Sequence, residues 1–359
     1  MIQKSDWKFY KNSEEGWQAM LDAIERAKES IDLEQFIFFY DSIGIKFLNA
    51  LKAKTAEGIK VRIFCDAVGS SSLSSVTIEK ELKDAGIKIK FFNSIVPWHP
   101  NNETLWYFRD HRKLMIIDRA IGFTGGLCLG EEMRGWRESY VKISGPVVFE
   151  MLESFEIMWN RTYREVKYYL KKKRIDPVGS FRYLTNSPLP AKRHMYRELI
   201  KAIRSAKHYI YLTTPYFLPD SRLLRNLKLA AERGVLVRLI VPFTTNHLVV
   251  DIGMGTFFED VLKAGIKISR YTASMIHSKT AVIDGNWSTI GSLNLDNLSL
   301  RYNFEGNIVS TDKEFSFELE KQFLNDLKLS TELTLPYWQK RSVIRKIAEL
   351  FIWPIRKLL

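Results

Sequence analysis

The segment His111-Arg-Lys-Leu-Met-Ile-Ile-Asp118 ("HRKLMIID") lays two bases and a carboxylate on an apolar run, and its layout returns at residues 277–284 as "HSKTAVID". His111 and Lys113 alternate with Arg112 ahead of four apolar residues, which reads as a loop entering a buried strand with both bases on one side. His277, Lys279 and Asp284 repeat that arrangement. One copy carries little weight, but two copies at the same place in two similar stretches mark an internal repeat.

Working outward from the two copies, the flanking elements also match. "AIERAKESIDLEQFIFF" in the first half and "AIRSAKHYIYLTTPYFL" in the second each predict a helix followed by a strand. "AEGIKVRIFCD" corresponds to "AERGVLVRLIV", and "KDAGIKIKFF" to "LKAGIKISRY". Each is a helix end, a glycine near the C-cap and a strand rich in β-branched residues. Alternating helices and strands predict an α/β fold with one sheet in each half. The basic stretch "YYLKKKRIDPVGS" at 168–180 is the expected junction. The halves are placed at 1–167 and 175–335, and 336–359 forms a C-terminal segment. Between Gly86 and His111 the first half has about 13 residues more than the second has between Gly265 and His277, a length that suits an inserted loop. That loop carries Trp98, Trp106, Tyr107 and Phe108. It is either a packed surface loop or a rim that grips an amphipathic substrate.

The chain has 359 residues, of which 46% are hydrophobic and 26% charged, as in folded globular proteins. With 54 Lys and Arg against 41 Asp and Glu, the net charge of +13 points to an anionic partner. Nucleic acid and acidic lipid both satisfy it. Two cysteines, Cys65 and Cys128, are too few for a disulfide framework and suit a reducing compartment. The N-terminal residues lack the apolar core of a signal peptide, and no run approaches the roughly 20 apolar residues of a membrane span.

Two imidazoles and two ammonium groups in one site suit phosphodiester chemistry. One imidazole can attack phosphorus while the other protonates the leaving group, and the lysines neutralise growing negative charge. No cofactor is required, and neither copy has metal-ligand spacing. Six residues after Asp284 comes Gly291-Ser292-Leu293-Asn294, and six after Asp118 comes Gly125-Gly126-Leu127-Cys128. Small residues such as Gly126 allow close approach to a phosphate, while Ser292 and Asn294 can donate hydrogen bonds to it. Glu138 lies 27 residues after His111 and Glu305 lies 28 after His277. A carboxylate on the far ring nitrogen fixes a tautomer and raises basicity. His99, His194 and His208 lack a repeated partner, whereas His247 follows a strand in the kind of loop that lines sites in α/β folds.

The pattern His-x-Lys-x4-Asp-x6-Gly-Ser-x-Asn, complete from His277 to Asn294 and repeated from His111 with Gly126 and Cys128 at its Ser and Asn positions, resembles that of the phospholipase D superfamily. "TTPYFLPD", "EQFIFFYDSIGIKFLNAL", "GSLNLDNLSLRYNFE" and "GPVV" are most similar to bacterial cardiolipin synthases, from about residue 10 to about residue 335. The resemblance implies two pseudo-symmetric halves, each a mixed sheet flanked by helices, packed into one bilobal unit. It also implies a phosphatidyl-histidine intermediate, with His111 as nucleophile and His277 as acid and then base, although the pseudo-symmetric site offers both. Lys113, Lys279, Ser292 and Asn294 are implied to hold the phosphate, and Glu138 and Glu305 to orient the imidazoles. Asp118 and Asp284 belong to the same motif and more often stabilise the strand and loop. Cys128 stands where the family pattern has Asn, so the halves are expected to hold phosphate unequally.

At the C-terminus, Val343, Ile344, Ile347, Leu350 and Phe351 recur at helical spacing. Six basic residues lie between Lys340 and Lys357 against the single acid Glu349. The segment either binds an anionic membrane surface or packs on a protein surface, its own or a second copy's. The expected partner is a phospholipid such as phosphatidylglycerol, met by a peripheral enzyme on the cytoplasmic side of the cell membrane. Nucleic acid fits less well, because no basic run interleaved with stacking aromatics is present. Hydrolysis by a phospholipase D and nuclease action remain the alternative reactions. No motif indicates the oligomeric state.

Overall fold

The structure is a computed structural model that describes residues 5–95, 105, 107–160, 179–354 and 356. The expected boundary between the halves, residues 167 to 175, lies outside these residues, as do His99, Trp98 and Trp106. In the first half, strands β1 (Trp7–Asn12), β2 (Ser30–Gln35), β3 (Lys60–Asp66), β4 (Lys88–Phe92), β5 (Leu114–Ile117), β6 (Ile121–Gly125) and β7 (Arg137–Ser144) form one sheet, in the order β1-β7-β6-β5-β2-β3-β4. The second half provides β8 (Phe181–Asn186), β9 (Tyr209–Thr213), β10 (Phe217–Leu218), β11 (Leu236–Pro242), β12 (Lys267–Tyr271), β13 (Thr280–Ile283), β14 (Trp287–Gly291), β15 (Leu295–Asp296), β16 (Glu305–Ser310) and β17 (Ser330–Leu333). Its large sheet runs β8-β16-β14-β13-β9-β11-β12-β17, and β10 and β15 pair separately.

Apart from β17, the two large sheets have the same strand order and the same directions. β2, β3 and β4 are parallel, as are β9, β11 and β12, while β5 and β13 run antiparallel to β2 and β9. The repeat read from the sequence is therefore a repeat of topology. Its glycines explain the register. Gly58 and Gly234, in matching positions after helices, have φ of +86° and +87°, a left-handed conformation that ends a helix at little cost. Each feeds directly into a buried parallel strand.

The helices cover each sheet with apolar stripes. Met20, Ile24, Phe47 and Leu51 pack under the first sheet, and Leu199, Ile203, Leu227 and Phe258 under the second. A third core joins the halves: Leu114, Ile116, Val141 and Ile143 meet Val282, Ile290, Ile308 and Phe315. Truncation of a side chain such as Phe315, which is completely buried, would cost about 3–5 kcal/mol. The halves pack sheet against sheet through this layer, as one bilobal α/β unit.

Two short backbone ladders complete the join. His111 N–H donates to the Phe304 carbonyl at 2.9 Å and Phe304 N–H to that of Arg109 at 2.9 Å. In the mirrored place, His277 N–H donates to the Arg137 carbonyl at 2.8 Å and Arg137 N–H to that of Met275 at 2.9 Å. Each histidine segment thus runs beside the residue that precedes the glutamate of the opposite half.

Candidate active site

Both histidines lie at the carboxyl ends of the parallel strands, because β5 begins opposite Glu34 and β13 opposite Thr213. Strand alternation separates the side chains as expected. Lys113 is fully buried on the same side as His111, while Arg112 turns the other way, ion-paired with Glu34 and with Asp110 at 3.1 Å. Each lysine is fixed by the carbonyl of its own histidine: Lys113 Nζ donates to His111 O at 2.6 Å and Lys279 Nζ to His277 O at 2.5 Å.

The glutamates are exchanged between the halves. His111 Nδ1 lies 3.0 Å from Glu305 Oε1 and 3.1 Å from Oε2, and His277 Nδ1 hydrogen-bonds Glu138. Sequence spacing associated each glutamate with the histidine of its own half. The backbone ladders place it on the other one. In both pairs Nδ1 is occupied by the carboxylate, so Nε2 is the nitrogen left for chemistry.

Burial is the largest influence on every ionisable group here. It pushes Glu138 and Glu305 up to about 7, against the attraction of the nearby lysines. Burial also holds both imidazoles well below the ordinary histidine range, and the ammonium groups of Lys113 and Lys279 push in the same direction. It brings Lys279 down to about 7 and lowers Lys113 as well. Neutral imidazoles keep a lone pair on Nε2, which a nucleophile or a base requires.

The small-residue elements meet the glutamates. Ser292 donates to Glu305 and accepts from Gly306 N–H at 3.0 Å. Gly126 holds the matching place beside Glu138, where an added Cβ would come 2.4 Å from Oε2. Glu138 instead accepts from Ser139 N–H at 3.2 Å. Asn294 is buried with its Oδ1 unpaired, whereas Cys128 is a buried thiol 3.9 Å from the Gly126 carbonyl. The two halves therefore offer different polar groups to a bound phosphate.

Asp118 and Asp284 are not brought to the histidines. They lie at the far ends of β5 and β13, in turns with φ of +52° and +50°. The Asp118 carboxylate accepts from the backbone N–H groups of Lys28, Glu29 and Ser30, the closest at 2.7 Å. Asp284 accepts from those of Lys207, His208 and Tyr209 at 2.7–2.9 Å. These carboxylates tie the start of β2 and β9 to the motif's turn and do not reach the ring nitrogens.

Three aromatic walls were not singled out from sequence. Phe36 sets its ring edge-on to His111 at 4.8 Å, and Trp136 and Tyr216 do so to His277 at 5.2 and 6.3 Å. Phe36 directly follows β2 and Tyr216 lies three residues beyond the end of β9, and the carboxyl ends of these strands carry the site, which is the signal that would have found them. His247 lies 6.1 Å from the Tyr216 ring, one ring removed from His277. Of the inserted loop, Tyr107 and Phe108 pack against Tyr302 of the second half.

Comparisons with known proteins agree with this geometry. The family model described as "Cardiolipin synthase, PLD-like domain" matches residues 20–159 and 199–327, one match in each half. The chain is 33% identical to a cardiolipin synthase of Clostridium perfringens over 98% of its own length and 76% of the relative's. It is also 33% identical to cardiolipin synthase A of Pseudomonas syringae, over 90% and 69%. Among solved structures, phosphatidylserine synthase of Haemophilus influenzae superposes with a TM-score of 0.73 at 14% identity, covering 98% of this chain and 93% of that one. Polyphosphate kinase of Porphyromonas gingivalis shares the fold at a TM-score of 0.63 and 14% identity, covering all of this chain and 54% of that one. With a repeated sheet, paired His-Lys motifs and these relatives, the chain belongs to the cardiolipin synthase, PLD-like domain family, as a phospholipase D-superfamily phosphatidyltransferase.

Proposed function

We propose that this protein makes cardiolipin from two molecules of phosphatidylglycerol through a phosphohistidine intermediate. The observation that carries the reading is the pair of buried imidazoles, each with Nδ1 on a glutamate of the other half and each beside its own lysine. His111 Nε2 attacks the phosphorus of the first phosphatidylglycerol and forms a P–N bond. The P–O bond to the headgroup glycerol breaks, and the glycerol oxygen takes the Nε2 proton of His277 in its imidazolium form, which the bound anionic phosphodiester and the Glu138 carboxylate on Nδ1 favour against burial. Neutral His277 then removes the proton from a headgroup hydroxyl of a second phosphatidylglycerol, whose oxygen displaces His111. The products are cardiolipin and glycerol, and both histidines return to their starting states.

Lys113 and Lys279 offset the charge that grows on the non-bridging oxygens, with Asn294 as a further donor, while Ser292 gives its hydroxyl proton to Glu305 and fixes that carboxylate. Glu305 and Glu138 stabilise imidazolium forms as protons move. Two reduced, buried cysteines fit a peripheral enzyme on the cytoplasmic side of the membrane.

The test is product identity. Purified protein with phosphatidylglycerol vesicles is expected to release cardiolipin and glycerol in equal amounts by mass spectrometry, and an alkaline quench is expected to leave a phosphatidyl group on the peptide containing His111. Phosphatidic acid as the lipid product would replace this reading with hydrolysis.

A further inference from the structure

The helix Val343–Ile352 is docked with its polar side inward. Arg341, Arg345 and Glu349 fall at four-residue spacing and face the protein. Glu349, only 5% exposed, accepts from Arg341 Nε at 2.9 Å and Arg345 Nε at 3.1 Å. Arg345 also donates to the Asp251 carbonyl on the helix Leu248–Lys263. Gly255 of that helix makes room, because a Cβ there would come 2.5 Å from Glu349 Oε1. Further contacts fix the pose: Trp338 is buried 5.2 Å from Phe258, and Arg356 lies 4.4 Å from the Phe257 ring.

The opposite face is apolar and open. Ile344 is 80% exposed, Phe351 76%, Leu350 71% and Trp353 57%. A helix on a globular surface ordinarily buries its apolar stripe, and an uncovered contiguous one marks a contact surface. Further apolar side chains are exposed at the site end of the two halves. Phe243, Leu248 and Val249, all exposed, sit in and just after the loop behind β11, next to His247 and hence at the end of the sheet that holds His277. Val68, also exposed, lies in the corresponding loop of the first half, and exposed Leu105 lies in the loop inserted ahead of His111.

We infer that this face seats the protein on a bilayer carrying anionic phospholipids, with the active-site mouth turned toward the lipid; the orientation rests on the phosphatidyl-transfer reading. Charge favours this occupant. The helix's acid, Glu349, is withdrawn into ion pairs, while Lys340 and Lys346 flank the apolar face in solvent and the whole chain carries +13. At about 1.5 Å per residue the helix is too short to cross a membrane, and no helix among the described residues is long and apolar enough to do so. It lies in the interface, where Trp353 suits the headgroup level. The reacting phosphate can then reach the histidines while acyl chains stay among the lipids.

The test uses the full chain and the double variant Ile344→Glu/Phe351→Glu, both positions being exposed enough to leave the fold alone. Wild-type protein should co-sediment with vesicles containing phosphatidylglycerol, and the variant should partition at least about tenfold more weakly. Turnover should fall on vesicles yet stay at the wild-type level on phosphatidylglycerol dispersed in detergent micelles. Unchanged vesicle binding by the variant overturns the inference. So does a wild-type dimer that the variant converts to monomer without loss of vesicle binding, since a second copy would then be the occupant. If neither lipid form yields cardiolipin but only the wild type binds vesicles, the docking face stands and the assigned reaction falls.

Discussion

His111 shares its Nδ1 with Glu305, 194 residues further along the chain and on the opposite sheet. The mirrored pair, His277 with Glu138, spans 139 residues. Neither half contains a complete histidine–glutamate pair, so the join between the sheets is also part of the catalytic apparatus. Removing Glu138 should therefore disturb His277 and spare His111. In Glu138→Gln protein with 15N-labelled histidine, the His277 ring signals are expected to move while those of His111 hold, and Glu305→Gln should do the reverse. Each substitution should lower kcat by about 10–100-fold, the range usual for lost orienting partners. Movement of the same-half histidine would show that the exchange does not exist in solution.

Protons should be taken up when an anion binds. Lys279 lies at about 7, well below its ordinary value, because burial disfavours its ammonium form. An anionic phosphodiester restores the charged form. Below pH 7 the lysine already carries its proton and binding adds none. Above pH 7 each unit costs up to one proton's worth of affinity, about tenfold. Glu138 and Glu305, raised to about 7 by burial, act in the same direction, since their ionisation above that pH repels the anion. A soluble glycerophosphodiester has a constant charge across this range. Calorimetry at pH 6 and pH 8 is expected to show weaker binding at the higher pH, with proton uptake visible as a dependence on buffer ionisation enthalpy. Affinity independent of pH would refute the linkage.

Asp118 and Asp284 should matter to folding more than to turnover. Each accepts three backbone N–H groups at the far end of its strand from the histidine. Burial acts to raise both carboxyls, but those donors hold them below the usual carboxylate range. Asp284→Ala leaves the three N–H groups of Lys207, His208 and Tyr209 without their partner and should cost about 1.5–3 kcal/mol. Thermal melting is expected to report that loss, while kcat per folded molecule stays within a few-fold of wild type. A collapse of kcat with unchanged melting would place the carboxylate in the chemistry.

The contrast between these aspartates and the histidines shows what the sequence makes legible. The repeat could be read because helix, glycine and strand recur in the same order, and the two sheets reproduce that order strand for strand. His111, Lys113, His277 and Lys279 converge because alternation puts each pair on one side of its strand. Linear spacing carries no information about which half faces which, so the exchange of Glu138 and Glu305 was not visible. The Asp of each motif keeps the same offset from its His yet lies at the opposite end of the strand, since four strand residues separate them. The C-terminal helix is similar: its two faces could be read from periodicity, but only the acid-to-arginine pairing of Glu349 with Arg341 and Arg345 shows that the polar one is inside.

The departure from symmetry at Cys128 yields the last expectation. Asn294 is buried with its acceptor Oδ1 unpaired and its amide NH2 hydrogen-bonded to Asp296, which leaves the second N–H as the donor a phosphate can use. Cys128 fills the matching place as a protonated thiol, its pKa raised by burial, and its neighbours are the Gly126 carbonyl and the core beneath. A thiol is a weak donor, and an amide is a strong one. If phosphate is gripped chiefly through the second half, Asn294→Ala should lower kcat/KM by about tenfold or more, the worth of one lost hydrogen bond to a charged group. Cys128→Ala should leave kcat/KM within about threefold and cost stability instead, because it removes buried volume next to Trp17, whose indole N–H donates to the Cys128 carbonyl at 2.8 Å. Steady-state kinetics and melting of the two single variants check both halves of the statement. Equal losses of kcat/KM would mean that the thiol and the amide hold the phosphate alike, and the unequal grip would have to be abandoned.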